Sequence, residues 1–273
     1  MLDQIFGTEA ITSKTNSTIV KIAKLTNKKH RNEYGLFACD GVKLFLEASN
    51  FGAKIEYIIL KNDADFDEKI IQKIKNCRDN GTKILCVNGQ VFEKLTEENA
   101  PQGIITVCSY ITGLHRRLTS VENAQNCEKI LMLESIRDPG NMGTIIRNAV
   151  AFGIDRLILS SDCVDIYSPK VVRAAMGAIF KIKIDVVEDF GKTIENLKVN
   201  KTVLGAALGK KSLVLGEKSL TRNDVIVIGN EGHGLSEDTL NLVSNTIFIP
   251  MAENTESLNA AMASVIFMWE LYK

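Results

Sequence analysis

Apolar residues in this chain come in short runs typical of buried strands, and segments with helical spacing separate these runs. In the first half the pattern predicts strands at 36–38, 55–60, 83–87 and 103–108 and helices at 19–25, 42–48 and 67–77. Strands that alternate with helices in this way indicate a small α/β domain, which we place at residues 1–110.

The second half repeats this alternation. It predicts strands at 130–134, 156–160, 181–186, 202–207, 225–229 and 246–250 and helices at 142–152, 169–177, after Ser236 and at 258–271. This order favours a parallel sheet covered by helices, in a second domain at residues 128–273. In its last helix we expect one apolar stripe to be buried, namely Leu258, Met262, Val265, Ile266 and Trp269.

Residues 111–127 break the pattern because they are polar and have few apolar residues in any period. We predict that they link the two domains. With 273 residues the chain is long enough for two modest domains, each with its own core.

Composition narrows the function classes. The net charge is zero at pH 7, so no global charge indicates a polyanionic partner. The six cysteines include no C-x-x-C pair and the three histidines lie far apart, which argues for a reducing compartment and against a metal site. The N-terminus lacks the pattern of a leader peptide, and no apolar run reaches the length of about eighteen residues that a membrane span needs. We therefore expect a cytoplasmic protein without a membrane span.

One stretch departs from this neutrality. Between positions 14 and 43 only Glu33 and Asp40 oppose a group of basic side chains, which are Lys14, Lys21, Lys24, Lys28, Lys29, Arg31 and Lys43. A solvated helix face with its loop is one explanation. An RNA-binding surface is the other, and it gains weight beside a domain that acts on RNA.

The first of three polar patches follows the strand at 130–134. Asp138-Pro139-Gly140-Asn141 ends that strand, and we expect Asn141 to cap the next helix. Gly143 and Arg147 are four residues apart on one helix face, so the guanidinium of Arg147 can cross the bare glycine toward the strand ends. A plain cap and a surface arginine are the alternative.

The second patch, Gly229-Asn230-Glu231-Gly232-His233-Gly234, follows the strand at 225–229. A dinucleotide fingerprint requires G-x-G-x-x-G, and here Glu231 stands where its second glycine would be. A glycine-rich turn still lets the backbone approach a ligand closely and donate amide hydrogen bonds. His233 is expected to be an ordinary loop residue.

The third patch joins the strand end Ile249-Pro250-Met251 to Ser257-Leu258-Asn259 at the start of the last helix. We expect Ser257 to cap that helix, where free backbone amides can meet an oxygen of a ligand. All three patches lie where a strand gives way to a helix, the position at which α/β sheets build ligand sites. They therefore predict one composite site.

In this order and spacing the three patches resemble the motifs of the SpoU (TrmH-type) RNA ribose methyltransferases of the SPOUT superfamily, over roughly residues 129–272. The resemblance implies an α/β fold in which a parallel-sheet SPOUT domain carries a C-terminal deep trefoil knot. It also implies S-adenosylmethionine as the cofactor and a homodimer formed through this domain. The residues that it assigns to the cofactor pocket are Ala206, Gly229, Ile249 and Leu258.

Proposals for the family make its motif arginine, here Arg147, the general base. Since an arginine side chain keeps its proton in proteins, we expect Arg147 instead to clamp an RNA phosphate and stabilise charge on the ribose oxygen. Asn141 and Glu231 are expected to orient its guanidinium. Ser257 and Asn259 are expected to bind the ribose or hold the cofactor loop.

The first domain resembles the RNA-substrate-binding domain that often precedes SpoU domains, although Asp40-Gly41 stands where the family usually has Glu-Gly. Residues 168–180 also resemble the family, with Ala175 in place of a serine. The candidate RNA contacts from both segments are Lys28, Lys29, Arg31 and Arg173.

The predicted function is methylation of a ribose 2′-hydroxyl in RNA. Ribosomal RNA is the favoured substrate because the extra domain resembles that of rRNA-modifying members, and transfer RNA is the alternative. A non-catalytic RNA-binding or ribosome-assembly protein of the same fold is a second alternative. A nicotinamide-dependent oxidoreductase is a third, which the glycine spacing disfavours.

Overall fold

The structure is a computed structural model that describes residues 1–122, 127–209, 211–252 and 257–273. The chain divides into two units. Unit 1 consists of Met1–Ile111 and Tyr167–Phe180, and unit 2 of Thr112–Ile166 and Lys181–Lys273. Residues 167–180, predicted as part of the second domain, therefore pack within unit 1.

Helices and strands are numbered separately along the chain. The helices are α1 (Leu2–Phe6), α2 (Ser17–Ala23), α3 (Lys28–Tyr34), α4 (Val42–Asn50), α5 (Glu68–Asp79), α6 (Gly89–Leu95), α7 (Pro139–Ala151), α8 (Pro169–Ala174), α9 (Phe190–Lys198), α10 (Glu237–Leu242) and α11 (Ala260–Tyr272), with short 3-10 helices at Lys24–Thr26 and Ala178–Phe180. The strands are β1 (Leu36–Asp40), β2 (Ile55–Lys61), β3 (Lys83–Val87), β4 (Ile104–Ser109), β5 (His115–Leu118), β6 (Ile130–Leu133), β7 (Arg156–Ser160), β8 (Lys183–Val187), β9 (Thr202–Ala206), β10 (Leu213–Val214), β11 (Asp224–Ile228) and β12 (Asn245–Phe248).

Unit 1 is built on a sheet whose described strands have the order β1-β4-β2-β3. Strands β2 and β3 are parallel, and β4 is antiparallel to both β1 and β2. Each face of the sheet is covered by apolar side chains from helices. One cluster includes Ile19, Ile22, Leu25, Val91 and Phe92, and the other includes Leu2, Phe6, Phe45 and Ile74.

The segment 167–180 covers the outer strand of this sheet. Phe37 on β1 lies 4.6 Å from Tyr167 and 6.1 Å from Phe180, measured between ring centroids. Tyr110 stacks on Tyr167 at 4.2 Å. The Tyr167 hydroxyl also accepts a hydrogen bond from the backbone N–H of Ile111 at 2.9 Å. Aromatic packing of this kind makes the segment an integral part of the unit 1 core.

Unit 2 is built on a sheet whose described strands have the order β10-β12-β9-β11-β6-β7-β8-β5, and all of their pairings are parallel. The inner strands read as continuous apolar runs because helices cover both faces of a parallel sheet. All residues of β6, β7 and β11 are buried. The predicted parallel sheet is present.

Strand β5 lies inside the predicted linker, so the prediction that residues 111–127 only connect two domains is wrong for this part. Its Arg116 is bound at 2.7 Å by both carboxylate oxygens of Asp185, which is fully buried on the neighbouring β8. An ion pair from an exposed arginine to a buried carboxylate lets a polar segment join a sheet edge, which an apolar pattern does not reveal. Residues 123–126 of the predicted linker lie outside the described residues.

Helix α11 buries a different face from the one predicted. Its buried side chains are Ala260, Ala261, Ser264, Phe267, Met268 and Leu271. In the predicted stripe Leu258 is 37%, Met262 50% and Trp269 46% exposed, and Val265 and Ile266 are partly exposed. The helix is apolar on both sides, so its periodicity cannot tell which side faces the core of its own chain. In the described parts of the chain, no helix combines the length and apolar character needed to cross a membrane.

Candidate active site

The carboxyl ends of β9, β11 and β12 surround a cavity of about 360 Å³, and the start of α11 forms another wall. This volume lies within the range of small-molecule sites, about 300–1,000 Å³. All four residues predicted to line a cofactor pocket do line this cavity, as do two predicted catalytic residues; together they are Ala206, Gly229, Ile249, Leu258, Glu231 and Ser257. Sequence reasoning missed other lining residues, among them Leu208 and Phe267.

A tight glycine-rich loop forms the polar side of the cavity. Asn230 and Gly234 exchange two backbone hydrogen bonds of 3.0 Å, which close the loop on itself. A Cβ atom on Gly229 would lie 2.3 Å from the carbonyl carbon of Gly234, so only glycine fits there. Residues of this loop line the cavity, and the backbone amides of Asn230, Gly232 and Gly234 donate within the loop itself, which fixes its shape.

The structure joins three of the predicted catalytic residues in a chain of hydrogen bonds. The Asn141 side-chain Nδ2 donates to Glu231 Oε1 at 2.9 Å. The Nδ2 of Asn259 donates to Asn141 Oδ1 at 3.0 Å. Residues from all three sequence patches therefore meet at one place, as predicted.

Two helix caps differ from the predictions. Asp138, not Asn141, caps α7, because its Oδ1 accepts from the backbone N–H of Asn141 at 2.7 Å and Pro139 takes the first helical position. Asn259, not Ser257, caps α11 by accepting from the amides of Ala261 and Met262. An aspartate directly before a proline was the signal for the first cap. Because the Asn141 side chain does not cap a helix, its amide group is free to bond to Glu231 and Asn259.

Arg147 is exposed on α7 and is not among the residues that line the cavity. Within the described residues its guanidinium makes no hydrogen bond or ion pair. The expectation that Asn141 and Glu231 orient this guanidinium is wrong for the single chain, because these two side chains bond to each other. Arg147 therefore presents to solvent a positive charge that none of the described residues neutralises.

The candidate RNA contacts of unit 1 fall into two groups. Lys28 and Lys29 are exposed in the first turn of α3. Arg31 is 3% exposed, and its guanidinium donates to the backbone carbonyls of Leu25 and Thr26, both at 2.8 Å. The prediction that Arg31 contacts RNA is therefore corrected, since this side chain stabilises the turn before α3.

Arg173, the other candidate, is partly exposed and forms ion pairs with Glu98 and, at 3.9 Å, with Glu97. Nearby, the Thr96 hydroxyl donates to Asp40. Burial raises the pKa of Asp40 above its ordinary value, although the Thr96 hydrogen bond and the charge of Arg173 oppose this effect. Arg173 has acidic partners in this unit, and its contact with an RNA phosphate stays a prediction.

No group of three or more metal-ligating side chains that could hold an ion occurs in the described stretches. A parallel sheet with a cavity at its strand ends, a glycine-rich loop and converging polar side chains defines an α/β protein with an enzyme-like ligand site. The profile of the SpoU rRNA methylase family matches residues 128–269, more than half of the chain. The chain belongs to this family, which confirms the resemblance. Residues 16–106 match the MRM3-like substrate binding domain.

Individual relatives agree with this membership. The Bacillus subtilis 23S rRNA (guanosine(2553)-2′-O)-methyltransferase RlmP is 27% identical, over 96% of this chain and 98% of its own length. The Danio rerio mitochondrial rRNA methyltransferase 3A is 29% identical, over 89% of this chain and 65% of its own length. Among solved structures, an AdoMet-bound rRNA methyltransferase from Sinorhizobium meliloti superposes with a TM-score of 0.82 at 29% identity, covering 96% of both chains.

Proposed function

We propose that this protein methylates a ribose 2′-hydroxyl in ribosomal RNA, with S-adenosylmethionine as the methyl donor. One observation carries the proposal. The three motifs of a family of rRNA methylases converge on one cavity, where Asn141, Glu231 and Asn259 are linked by hydrogen bonds.

The residues of the cavity suit this cofactor. Ala206, Ile249 and Leu258 supply apolar walls for an adenine ring, and the glycine-rich loop from Gly229 lets the backbone approach the cofactor closely. The similar Sinorhizobium meliloti protein is described as AdoMet-bound. When bound, S-adenosylmethionine supplies an electrophilic methyl group on a sulfonium.

Arg147 has the chemistry to act on the RNA side of the reaction. The ribose oxygen gains a bond to carbon and loses its proton, so negative charge develops on this oxygen during the transfer. A guanidinium that never loses its own proton can hold an adjacent RNA phosphate and stabilise that charge, while a phosphate oxygen or water takes the ribose proton. Free of other partners among the described residues, Arg147 is available for this role.

The linked side chains hold the site in shape. Asn141 fixes Glu231 at the edge of the cavity, and Asn259 fixes Asn141 while it caps α11. Ser257, exposed at the cavity wall, is available to bind the ribose. Alignment of the ribose oxygen by such fixed groups supplies much of the rate in a displacement.

Unit 1 supplies the RNA recognition surface in this proposal. Its match to a substrate-binding domain and the exposed Lys28 and Lys29 support this role, because lysines near phosphates release counterions when RNA binds. Ribosomal RNA is favoured over transfer RNA because the Bacillus subtilis and Danio rerio relatives are named for rRNA. A non-catalytic role in ribosome assembly is the remaining alternative.

A second copy of the chain covers the exposed side of α11. The stripe of Met262, Val265, Ile266 and Trp269 is apolar, and Trp269 continues into an aromatic group with Phe152 and Tyr272 at 6.0–6.2 Å. An exposed apolar patch of this kind marks an interaction site. A homodimer through this face would also place groups from a partner beside Arg147 on α7, which packs against α11.

Two further features belong to the proposal. The C-terminal segment passes through a deep trefoil knot, which is supported by the return of the chain from β12, two strands away from β11, to pack α11 against α7 and β11. The protein acts in the cytoplasm. This location is supported by the Bacillus subtilis relative, a bacterial protein whose match covers 96% of this chain.

Calorimetric titration with S-adenosylhomocysteine tests the proposal, with nicotinamide dinucleotide as a control. We expect micromolar binding of the first ligand alone. Mapping of 2′-O-methyl groups in cellular rRNA, with and without the gene, then identifies the nucleotide. Binding without any missing methyl group in rRNA would favour transfer RNA, absence of binding would favour the non-catalytic alternative, and preference for the dinucleotide would overturn the proposal.

A further inference from the structure

A buried carboxylate lies beneath the glycine-rich loop and has no place in the chemistry above. Glu134 follows β6, is 9% exposed, and is not among the residues that line the cavity. Its Oε1 accepts from the hydroxyls of Ser236 at 2.6 Å and Thr239 at 2.8 Å, and its Oε2 accepts from the Ser236 backbone N–H at 3.1 Å. In the described parts of the chain no lysine or arginine pairs with it.

Of the three hydrogen bonds that the described residues make to the Glu134 side chain, two come from Ser236 at the distal end of the loop, and the third comes from Thr239 on α10. Ser236 is the N-cap of α10 and comes directly after the loop residues Gly234 and Leu235. A carboxylate that is buried without a cation is costly unless hydrogen bonds satisfy it. Two of the three hydrogen bonds that satisfy this one come from Ser236, so it holds the loop end against β6.

The neighbouring residue holds the proximal end. The backbone carbonyl of Ser135 accepts from Asn230 Nδ2 at 2.7 Å, and Asn230 Oδ1 in turn accepts from the Gly232 amide at 2.8 Å. Two consecutive residues at the end of β6 therefore fasten both ends of the loop that lines the cavity.

The backbone at this point is itself held in a rare conformation. Ser135 has a φ of 55°, a value that residues other than glycine seldom adopt. Its N–H donates to the Ser160 hydroxyl at 2.8 Å, and its own hydroxyl donates to Asp162. Burial alone would raise the pKa of Asp162, but bonds from Ser135, Ser160 and Arg137 lower it below its ordinary value. Such over-determined strain is typical of functional sites.

We infer that Glu134 is a positioning residue, which ties Ser236 so that the glycine-rich loop is already in its ligand-binding shape before the cofactor arrives. The inference rests on the proposed function, because it takes the ligand of this loop to be S-adenosylmethionine. The fastened loop also presents Glu231 to Asn141 at 2.9 Å. Preorganisation of this kind improves affinity by removing the cost of ordering the loop during binding.

The test is calorimetric titration of the full-length Glu134→Gln variant with S-adenosylhomocysteine. The amide keeps the size of the carboxylate but offers one acceptor fewer to Ser236, so we expect the affinity to fall about tenfold. In turnover assays the KM for the cofactor should rise by a similar factor while kcat at saturation changes less than about threefold.

A matched control separates positioning from general stability. Glu128 is also buried, at 5% exposure, but it lies at the opposite end of β6 and pairs with Arg156 at 2.9 Å and Lys183 at 3.5 Å. The Glu128→Gln variant should lower the melting temperature and leave the affinity for S-adenosylhomocysteine unchanged. If both variants lose affinity in proportion to lost stability, Glu134 is only a structural residue and the inference falls.

A second variant keeps the inference testable if Glu134→Gln does not fold. Ser236→Ala removes the hydroxyl donor and should also weaken binding. Where Glu134→Gln does fold, Ser236→Ala should add little to its effect in the double variant. Wild-type affinity in Ser236→Ala, or simple addition of the two losses, would overturn the inference. If the wild-type protein itself fails to bind, it is the proposed function that falls, so the two failures are distinguishable.

Discussion

The side chains of Asn141 and Glu231 are joined by a hydrogen bond of 2.9 Å although they lie 90 residues apart in sequence. Asn141 belongs to the first sequence patch and Glu231 belongs to the second. Since the oxygen of the same amide accepts from Asn259 at 3.0 Å, the orientation of the Asn141 amide is set by both partners. One amide therefore connects the loop, α7 and α11.

The Asn141→Asp substitution should break this connection. The new carboxylate cannot donate to Glu231 and places a second negative charge beside it, so we expect kcat/KM to fall at least about tenfold. Steady-state kinetics on an rRNA fragment measure this loss. The control is Asn148→Asp on the same helix, because among the described residues the Asn148 side chain donates only to the Thr144 carbonyl of its own helix. Equal loss in both variants would contradict a role for the connection.

The Arg147→Ala substitution should sharply reduce turnover and leave cofactor binding intact. The guanidinium is exposed and does not line the cavity, so its removal should cost about 10²–10³-fold in kcat, the effect of losing one group that stabilises developing charge. Single-turnover assays and calorimetry with S-adenosylhomocysteine separate the two effects. Arg117→Ala, an exposed arginine on β5, is the control. Turnover retained in Arg147→Ala would exclude the proposed role.

The Met262→Glu or Trp269→Glu substitution should convert a dimer into a monomer. Both side chains are about half exposed on α11, and a charge in a buried apolar interface has a large desolvation penalty. Sedimentation velocity measures the change in mass. Leu240→Glu, at a 37% exposed position on α10, should leave the dimer intact. A wild-type protein that sediments as a monomer at micromolar concentration would argue against the homodimer.

Substitutions of the basic residues of α3 should have two different effects, one on RNA binding and the other on stability. The Lys28→Ala and Lys29→Ala double variant should weaken RNA binding and flatten its salt dependence, with no change in melting temperature, because both side chains are exposed. Arg31→Ala should instead lower the free energy of unfolding by about 1–3 kcal/mol, since the buried Leu25 carbonyl and the partly buried Thr26 carbonyl lose their donor. Filter binding at several salt concentrations and thermal unfolding distinguish the groups. Unchanged RNA affinity in the lysine variant would contradict an RNA contact there.

Strands bounded by clear apolar runs could be predicted from the sequence, and β3 and β7 lie at the predicted residues. Polar composition concealed β5, because its place in the sheet depends on the distant Asp185. Local periodicity carries no information about a partner 69 residues away. The sheet could thus be predicted only where each strand carries its own apolar signal.

The candidate site shows the same division. The motif residues could be predicted, because a patch at each strand end meets the others when the strands are parallel. The hydrogen-bond partners could not, since Asp138 took the cap that the pattern gave to Asn141. The pattern predicts Glu134 only as the end of an apolar strand, because nothing near it in sequence indicates that its carboxylate bonds to Ser236.

The segment at 167–180 has a consequence for how this protein can be divided. A gene fragment that ends at residue 111 would encode the unit 1 sheet without the chain that covers Phe37 and stacks on Tyr110. Such a fragment would expose an apolar aromatic surface to solvent, and it would therefore tend to aggregate before it folds. Any recombinant RNA-recognition module from this chain should therefore carry 167–180, grafted through a flexible tether, as part of its own interior.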